Sequence, residues 1–119
     1  MAYVDGFLLA IPKKSREKYK KIARLAARVW MEHGALAYVE AVADDVKPGK
    51  LTSFPQAVRL KKGEEVWFSY IVYRNRAARD RILKKVMADK RLASTMQPGA
   101  MPFDTKRMIW GGFKGQVER

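Results

Sequence analysis

The chain has 119 residues, no cysteine, and 25 Lys and Arg against 12 Asp and Glu, which gives a formal net charge of +13. This length is typical of one domain, so we predict a single domain over residues 1–119. The lack of cysteine excludes disulfides, thiolate metal sites and cysteine nucleophiles, and it fits the cytoplasm. The apolar run Val4–Ile11 contains Asp5 and is too short to span a bilayer, so we expect neither an export signal nor a membrane partner.

The first half of the chain predicts a strand, a helix and a second strand. Tyr3–Ile11 is rich in β-favouring residues and stops at a proline. Apolar residues at three- and four-residue spacing from Tyr19 to Trp30 indicate an amphipathic helix. We expect Ser15 to cap this helix and Gly34 to end it. Strict alternation over Ala35–Ala43 indicates the second strand.

The second half predicts two further strands and a second helix. Val66–Tyr73 is apolar on both faces, which is typical of a strand in the middle of a covered sheet. A helix is expected from about Arg76 to Ala88, and the last strand over Met108–Phe113, with Gly111 and Gly112 marking a bulge or a close backbone contact. Residues 52–60 are interpreted as a short edge strand, and residues 91–104 as irregular.

The order strand, helix, strand, strand, helix, strand predicts an α+β fold of the ferredoxin-like split β-α-β type with an antiparallel sheet. Right-handed crossovers put both helices on one face of that sheet. The strands are apolar on both sides, so the uncovered face would expose far more apolar area than a monomer normally shows. We therefore predict a homodimer, sheet against sheet, although the sequence does not tell which strand residues line its interface.

Several sequence blocks resemble one bacterial family. They are Tyr3–Phe7, Gly34–Leu36, Val39–Glu40, Val46, Pro48–Lys50, Thr52–Phe54, Phe68–Ser69, Arg79–Asp80, Asp89 with Arg91, Met101–Asp104, Lys106–Ile109 and Gly111–Phe113. In this order they resemble the YbaA-like family, domain of unknown function 1428, over nearly the whole chain. The resemblance implies a dimeric α+β barrel with two facing ferredoxin-like sheets. Some members of that wider superfamily are monooxygenases, but the YbaA-like family brings no established activity with it.

Asp5 and Glu40 are carboxylates within otherwise apolar strands. A buried carboxylate without a partner has a raised pKa, which would suit proton transfer. The alternative is a structural ion pair with Arg107 or Arg91. The sequence leaves both readings open.

Asp89, Arg91, Asp104 and Arg107 bracket the irregular segment before the last strand. They would either clamp this loop over the end of the sheet, or make it a lid in which Arg91 or Arg107 anchors an anionic ligand.

The remaining candidates carry weaker signals. His33, the single histidine, is expected to stabilise a helix end, and scattered acids around one histidine make no metal site. Ser69 has no histidine placed to activate it as a nucleophile, but it remains a polar candidate for ligand contact. Trp67, Phe68, Tyr70 and Trp110 are expected to line a ligand pocket, the core or the dimer interface. No phosphate-binding glycine motif occurs, and no cofactor is predicted.

These observations allow three functions. The first is a protein that binds or acts on a small molecule, without a cofactor, in a pocket between the facing sheets that contains Asp5, Glu40 and Ser69. The second is nucleic-acid binding through the basic excess, which falls in residues 13–28 and 74–91; we do not favour it, because a dimer would hide the aromatic strands and the charge also serves solubility. The third is a dimerisation module without catalysis. Whether the chain is an enzyme, and on which ligand, is not decided by the sequence.

Overall fold

The computed structural model describes all 119 residues and follows the predicted order of elements, with one short helix added. The strands are β1 (Tyr3–Pro12), β2 (Ala37–Val42), β3 (Glu64–Tyr73) and β4 (Ile109–Lys114), and the helices are α1 (Arg16–Glu32), α2 (Phe54–Ala57) and α3 (Arg76–Met87). The sheet order is β2-β3-β1-β4, and each neighbouring pair is antiparallel. The ferredoxin-like α+β prediction is confirmed.

The long helices begin and end through local chemistry. The Asn75 side chain accepts a hydrogen bond from the Ala78 N–H (2.8 Å) and so caps α3. Gly34 follows α1 with φ of 116°, a backbone conformation that L side chains rarely adopt, which confirms its predicted role as a stop. Ser15 does occupy the N-cap of α1, but its side chain makes no capping bond, so that part of the prediction is wrong.

The segment predicted as a short strand over residues 52–60 instead contains α2. The Ser53 hydroxyl accepts a hydrogen bond from the Gln56 N–H, and Pro55 fits the first turn of a helix, where no backbone donor is needed. Beyond α2, Val58 packs on Ala10 and Val66. This connection therefore covers one end of the sheet rather than extending it.

The glycine pair in β4 makes no bulge, because β1 and β4 stay in unbroken register from Tyr3 opposite Lys114 to Leu8 opposite Ile109. The alternative, a close contact, is confirmed at Gly112. A Cβ atom there would overlap the Tyr3 hydroxyl and lie 2.7 Å from Nη2 of Arg79. Only glycine gives these two side chains room.

Helices α1 and α3 cover one face of the sheet, which we call the helix face. Tyr3, Ile71 and Tyr73 of this face pack with Val29 of α1 and Ile82 of α3 in the larger core cluster. Side chains alternate between the two faces along a strand, so the odd-numbered residues of β1 and β3 all lie on the helix face. The hydrophobic core is therefore on this side.

The opposite face, which we call the open face, has no layer of long helices. It is covered only at one end, where Val58 packs on Ala10 and Val66 and Phe54 of α2 contacts Phe68. Between Val66 and Val72 of β3, and on the neighbouring strands, this face consists of apolar side chains, glycines and one tyrosine. Its residues are Val4, Gly6, Leu8, Ala10, Ala37, Val39, Ala41, Val66, Phe68, Tyr70, Val72, Ile109, Gly111 and Phe113. The molecule is accordingly a slab of 38 × 36 × 21 Å. Its radius of gyration is 14.9 Å, against about 13.5 Å for a rounded domain of this length. No helix is both long and apolar enough to cross a membrane.

Candidate functional site

The open face contains a hollow of about 440 Å3. Its floor is formed where Gly6 of β1 lies directly opposite Gly111 of β4, because neither residue has a side chain to fill the space. Its walls are apolar or aromatic side chains, among them Leu8, Tyr70 and Phe113. The hollow can hold an apolar group, and it offers almost no polar partner apart from the Tyr70 hydroxyl.

The four predicted pocket aromatics divide between the two faces. Phe68 and Tyr70 lie on the open face and line the hollow, as the pocket prediction requires. Trp67 lies on the helix face, where its ring packs edge-on against Tyr19 at a centroid distance of 5.2 Å. Trp110 stacks on Phe7, also a helix-face residue, at 6.2 Å. Trp67 therefore lies in the core and away from the hollow, whereas Trp110, on the exposed edge strand, also borders the hollow.

The predicted polar residues of the inter-sheet pocket lie on the other side of the sheet. Asp5, Glu40 and Ser69 are helix-face residues: Asp5 pairs with Ile71 across the strands, and Glu40 pairs with Ser69. The prediction that these three lie between facing sheets is wrong. Because β1 is apolar on both sides, its sequence pattern does not reveal which set of residues faces the helices.

Asp5 is buried and belongs to a hydrogen-bonded chain. The Trp30 indole N–H donates to the Tyr73 hydroxyl (3.1 Å), which donates to Oδ2 of Asp5 (3.0 Å). Nε of Arg79 lies 3.8 Å from Oδ1 of Asp5, and neither of these two atoms has a hydrogen-bond partner. Burial raises the pKa of Asp5, although the Tyr73 hydroxyl and Arg79 oppose that rise. The ion-pair reading thus fits Asp5, with Arg79 in place of the predicted Arg107 or Arg91.

Glu40 is held by two phenols and by no cation. The Tyr19 hydroxyl donates to Oε1 and the Tyr38 hydroxyl to Oε2, each at 2.8 Å. Burial raises the pKa of Glu40, while the two tyrosine hydroxyls and Ser69 lower it by a smaller amount. Burial beside this carboxylate also raises the pKa of both tyrosines. The predicted pairing of Glu40 with Arg107 or Arg91 is wrong.

Asp89 and Arg91 join the ends of the two long helices. The Arg91 guanidinium donates to both carboxylate oxygens of Asp89, and its Nη1 lies 2.6 Å from Oε2 of Glu32 at the end of α1. The His33 ring lies 2.9 Å from Asp89, which agrees with its predicted position at a helix end. Hydrogen bonds from Arg91 and His33 hold the pKa of Asp89 well below its usual range.

Arg107 and Asp104 fix the other end of the irregular segment. The Arg107 guanidinium donates to both oxygens of Glu64 (2.8 and 2.6 Å), to Oδ2 of Asp104 (3.0 Å) and to the Arg59 carbonyl (3.0 Å). These bonds tie the segment to β3 and to the connection after α2, and the bonds from Arg107 lower the pKa of Glu64 and Asp104. With two carboxylates each, Arg107 and Arg91 fit the clamp reading better than the anion anchor.

Sequence reasoning missed the residues that give each face its character. Gly6 and Gly111 lie far apart in the chain and are brought together by the strand register, whereas Tyr19 reaches Glu40 from α1. A signal for the first existed, since glycine within a strand often marks close approach of another group. Arg79 gave no such signal, because it is one of many basic residues on α3. No three His, Asp or Glu side chains lie close enough to hold a metal ion.

Comparisons with known proteins agree with the sequence blocks. Residues 2–105 match the family described as Protein of unknown function (DUF1428). The chain is 43% identical over 118 residues to the uncharacterized protein YbaA of Escherichia coli (strain K12) and equally to YbaA of Shigella flexneri, covering 99% of each chain. Among solved structures, the de novo designed protein Foldit4 is similar in fold only, with a TM-score of 0.50 at 9% identity over 98% of this chain and all of that one. The chain belongs to the DUF1428 family, with YbaA as a full-length relative.

Proposed function

We propose that this protein is a homodimer that binds an apolar small molecule in the hollow of the open face, with a second copy closing the site. The observation that carries the proposal is the Gly6–Gly111 floor in the middle of an uncharged, apolar face. Apolar concave sites with few polar groups are the usual form of small-molecule pockets. With Asp5, Glu40 and Ser69 on the other face, the hollow selects its ligand by shape and aromatic contact.

A second copy is the cover that fits this face best. The open face has the two long dimensions of the slab, 38 and 36 Å, and a stable interface needs about 800 Å2 from each partner. Phe68, Ile109 and Phe113 are each more than two-fifths exposed in one chain, so burying them supplies a strong apolar driving force. Like net charges of +13 repel, but eleven of the basic side chains lie in α1 and α3, on the far side from this contact. Two copies can therefore meet on their uncharged sides.

The proposal is tested by titrating the full chain with N-phenyl-1-naphthylamine, a neutral apolar fluorophore, and measuring oligomeric state by sedimentation velocity. We expect saturable fluorescence enhancement and a dimer. Gly6→Leu fills the floor of the hollow and should abolish the enhancement. The matched control is Ala77→Leu, which places the same leucine side chain at an exposed position of α3.

Each result has one meaning. Loss of enhancement in Gly6→Leu with the dimer retained supports a ligand site in the hollow. If the protein is a dimer but neither the wild type nor Gly6→Leu enhances the fluorescence of the probe, ligand binding is overturned. The protein would then be a dimerisation module. A wild-type monomer across the accessible concentration range would overturn the closed site.

Nucleic-acid binding is a second candidate because of the uncompensated charge on the helices. Lys18, Lys21, Arg24, Arg28, Arg81, Lys84 and Lys85 have no carboxylate within ion-pair distance. Such a surface would contact phosphates without reading sequence, so binding would weaken steeply as salt is added. Retention of a single-stranded oligonucleotide at low salt, lost in an Arg81→Glu and Lys85→Glu double variant, would support it; no retention would end it.

A further inference from the structure

A groove of about 250 Å3 runs between α1 and the edge strand β2, on the helix face and away from the hollow. It exists because α1 presents Ala23 and Ala27, one turn apart, above the strands. These small side chains leave space over Tyr38, Glu40 and Trp67, which form the floor. The groove belongs to a single chain, so it does not depend on dimerisation or on the proposed function.

The bottom of the groove carries an anion that the protein does not neutralise. Glu40 has no Lys, Arg or His within 4.0 Å, in contrast to Glu64 and Glu65, which each hold an arginine. Buried carboxylates are normally paired with a cation, because burial of an uncompensated charge is costly. Tyr19 and Tyr38 supply two hydrogen bonds to Glu40 but no positive charge. The free lone pairs of the carboxylate leave it able to accept more donors.

The edge of the groove carries the opposite sign. Lys20 and Arg24 lie one turn apart on α1 and both line the groove. Arg24 contacts no carboxylate, and the Lys20 ammonium is 3.5 Å from Glu17 in an exposed, weak pair. One short cleft thus holds an unpaired anion below and two available cations above. Its electrostatic complement is a molecule with a positive and a negative end.

We propose that this groove binds a small amino carboxylate, whose ammonium group contacts Glu40 and whose carboxylate contacts Arg24 and Lys20. The ammonium supplies the cation that Glu40 lacks, and a planar guanidinium suits a carboxylate because it donates two parallel hydrogen bonds to the carboxylate oxygens. Trp67 and Tyr38 give the ligand an aromatic floor that also favours an ammonium group. The sites on the two faces of the sheet would then take different ligands.

The test is a two-dimensional NMR titration of the full chain with three probes: L-phenylalanine, γ-aminobutyrate and glycine. The matched controls are 3-phenylpropionate, which lacks the ammonium group, and phenethylamine, which lacks the carboxylate. We expect at least one amino carboxylate to shift the signals of Tyr38, Glu40 and Trp67, and to bind at least about tenfold more tightly than either single-charge control, because both ends are recognised by charged groups.

Two variants identify the contacts. Glu40→Gln keeps the size and acceptor oxygen of the side chain but removes its charge. It should lower the affinity for the bound amino carboxylate by about tenfold or more. Arg24→Ala should also lower this affinity, whereas Arg28→Ala, one turn further along α1, should not. Arg24 is exposed, so its removal leaves the fold intact even if Glu40→Gln does not. No shift with any amino carboxylate, equal binding of the single-charge controls, or equal effects of Arg24→Ala and Arg28→Ala would overturn the proposal.

Discussion

The two faces of the sheet divide the chemistry of the molecule between them. The helix face contains nearly all of the buried core and, apart from Tyr70, every polar side chain in the middle of the sheet, including Asp5, Glu40 and Ser69. The open face contains no charged side chain from Val66 to Val72 and exposes Phe68, which the helix face would have buried. The same four strands form both faces.

This difference teaches that burial within one chain and apolar composition are separate properties here. The helix face can include carboxylates because α1 supplies the Tyr19 phenol and α3 the Arg79 guanidinium, beside the phenols of Tyr38 and Tyr73 from the sheet itself. The open face has no such layer, and a carboxylate there would be stranded as soon as the face was covered. Its apolar character is therefore the property that the proposed contact with a second copy would require.

The largest expected effect comes from a charge placed on the open face. Phe68→Glu should turn the proposed dimer into a monomer, with association weakened by about a thousandfold or more, because a carboxylate would be buried unpaired in the contact. Met31→Glu on α1 is the control, since Met31 and Phe68 are equally exposed in one chain, at 44% and 45%. Sedimentation velocity distinguishes them. A dimer that survives Phe68→Glu would mean that the open face is not the interface.

The next effect compares the stability that each face supplies. Ile82, 2% exposed, packs in the core under α3. Ile82→Ala should lower the free energy of unfolding by about 2–5 kcal/mol, as is usual for such a truncation in a core. Ile109→Ala, on the open face and 44% exposed, should cost less than about 1 kcal/mol when made in the Phe68→Glu background, where no partner adds to it. Urea denaturation measures both, and similar costs would erase the distinction between the faces.

A smaller effect compares two glycines on opposite faces. Gly112→Ala forces a methyl group against Tyr3 and Arg79, and should cost about 1–3 kcal/mol of unfolding free energy. Gly6→Ala meets only the Phe113 ring, at an ordinary 3.7 Å, and should be close to neutral. Thermal unfolding of the two variants gives the comparison. A costly Gly6→Ala would show that the hollow is already filled in the folded protein.

The smallest effect is a dependence on pH that Glu40 contributes. Burial raises its pKa above the value of 4.5 that it takes in the unfolded chain. Above pH 4.5 the unfolded chain has released this proton while the folded one still holds it, so stability falls as the pH rises through this window. Relative to Glu40→Gln, the wild type should therefore lose stability as the pH increases. Urea denaturation on either side of pH 4.5 tests the sign, and the opposite slope would mean that Glu40 is stabilised as an anion.

The fold was predictable because its signals are local. Helix α1 is predicted by apolar residues at three- and four-residue spacing and by Gly34 at its end. The order of elements then restricts the topology to few choices. The strand predicted for residues 52–60 failed because a local cap, Ser53 on Gln56, outweighs the apolar composition of that stretch. Apolar runs this short do not distinguish a strand from one helical turn.

The sites were less predictable because they depend on register and on helix placement. Asp5 and Glu40 were recognisable as unusual, but their face and partners follow from how α1 and α3 lie across β1 and β2. Arg79 reaches Asp5, and Tyr19 reaches Glu40, over sequence separations that composition cannot encode. The clamp of Arg91 on Asp89 could be found, because those two residues are neighbours in sequence.

The concentration of basic side chains in α1 and α3 gives the slab a strong electric dipole across its thickness. Two chains that approach helix side first would repel each other, whereas an approach through the uncharged side meets the least resistance. The field would therefore orient encounters before contact, and because the net repulsion is screened by ions, added salt should speed association rather than slow it.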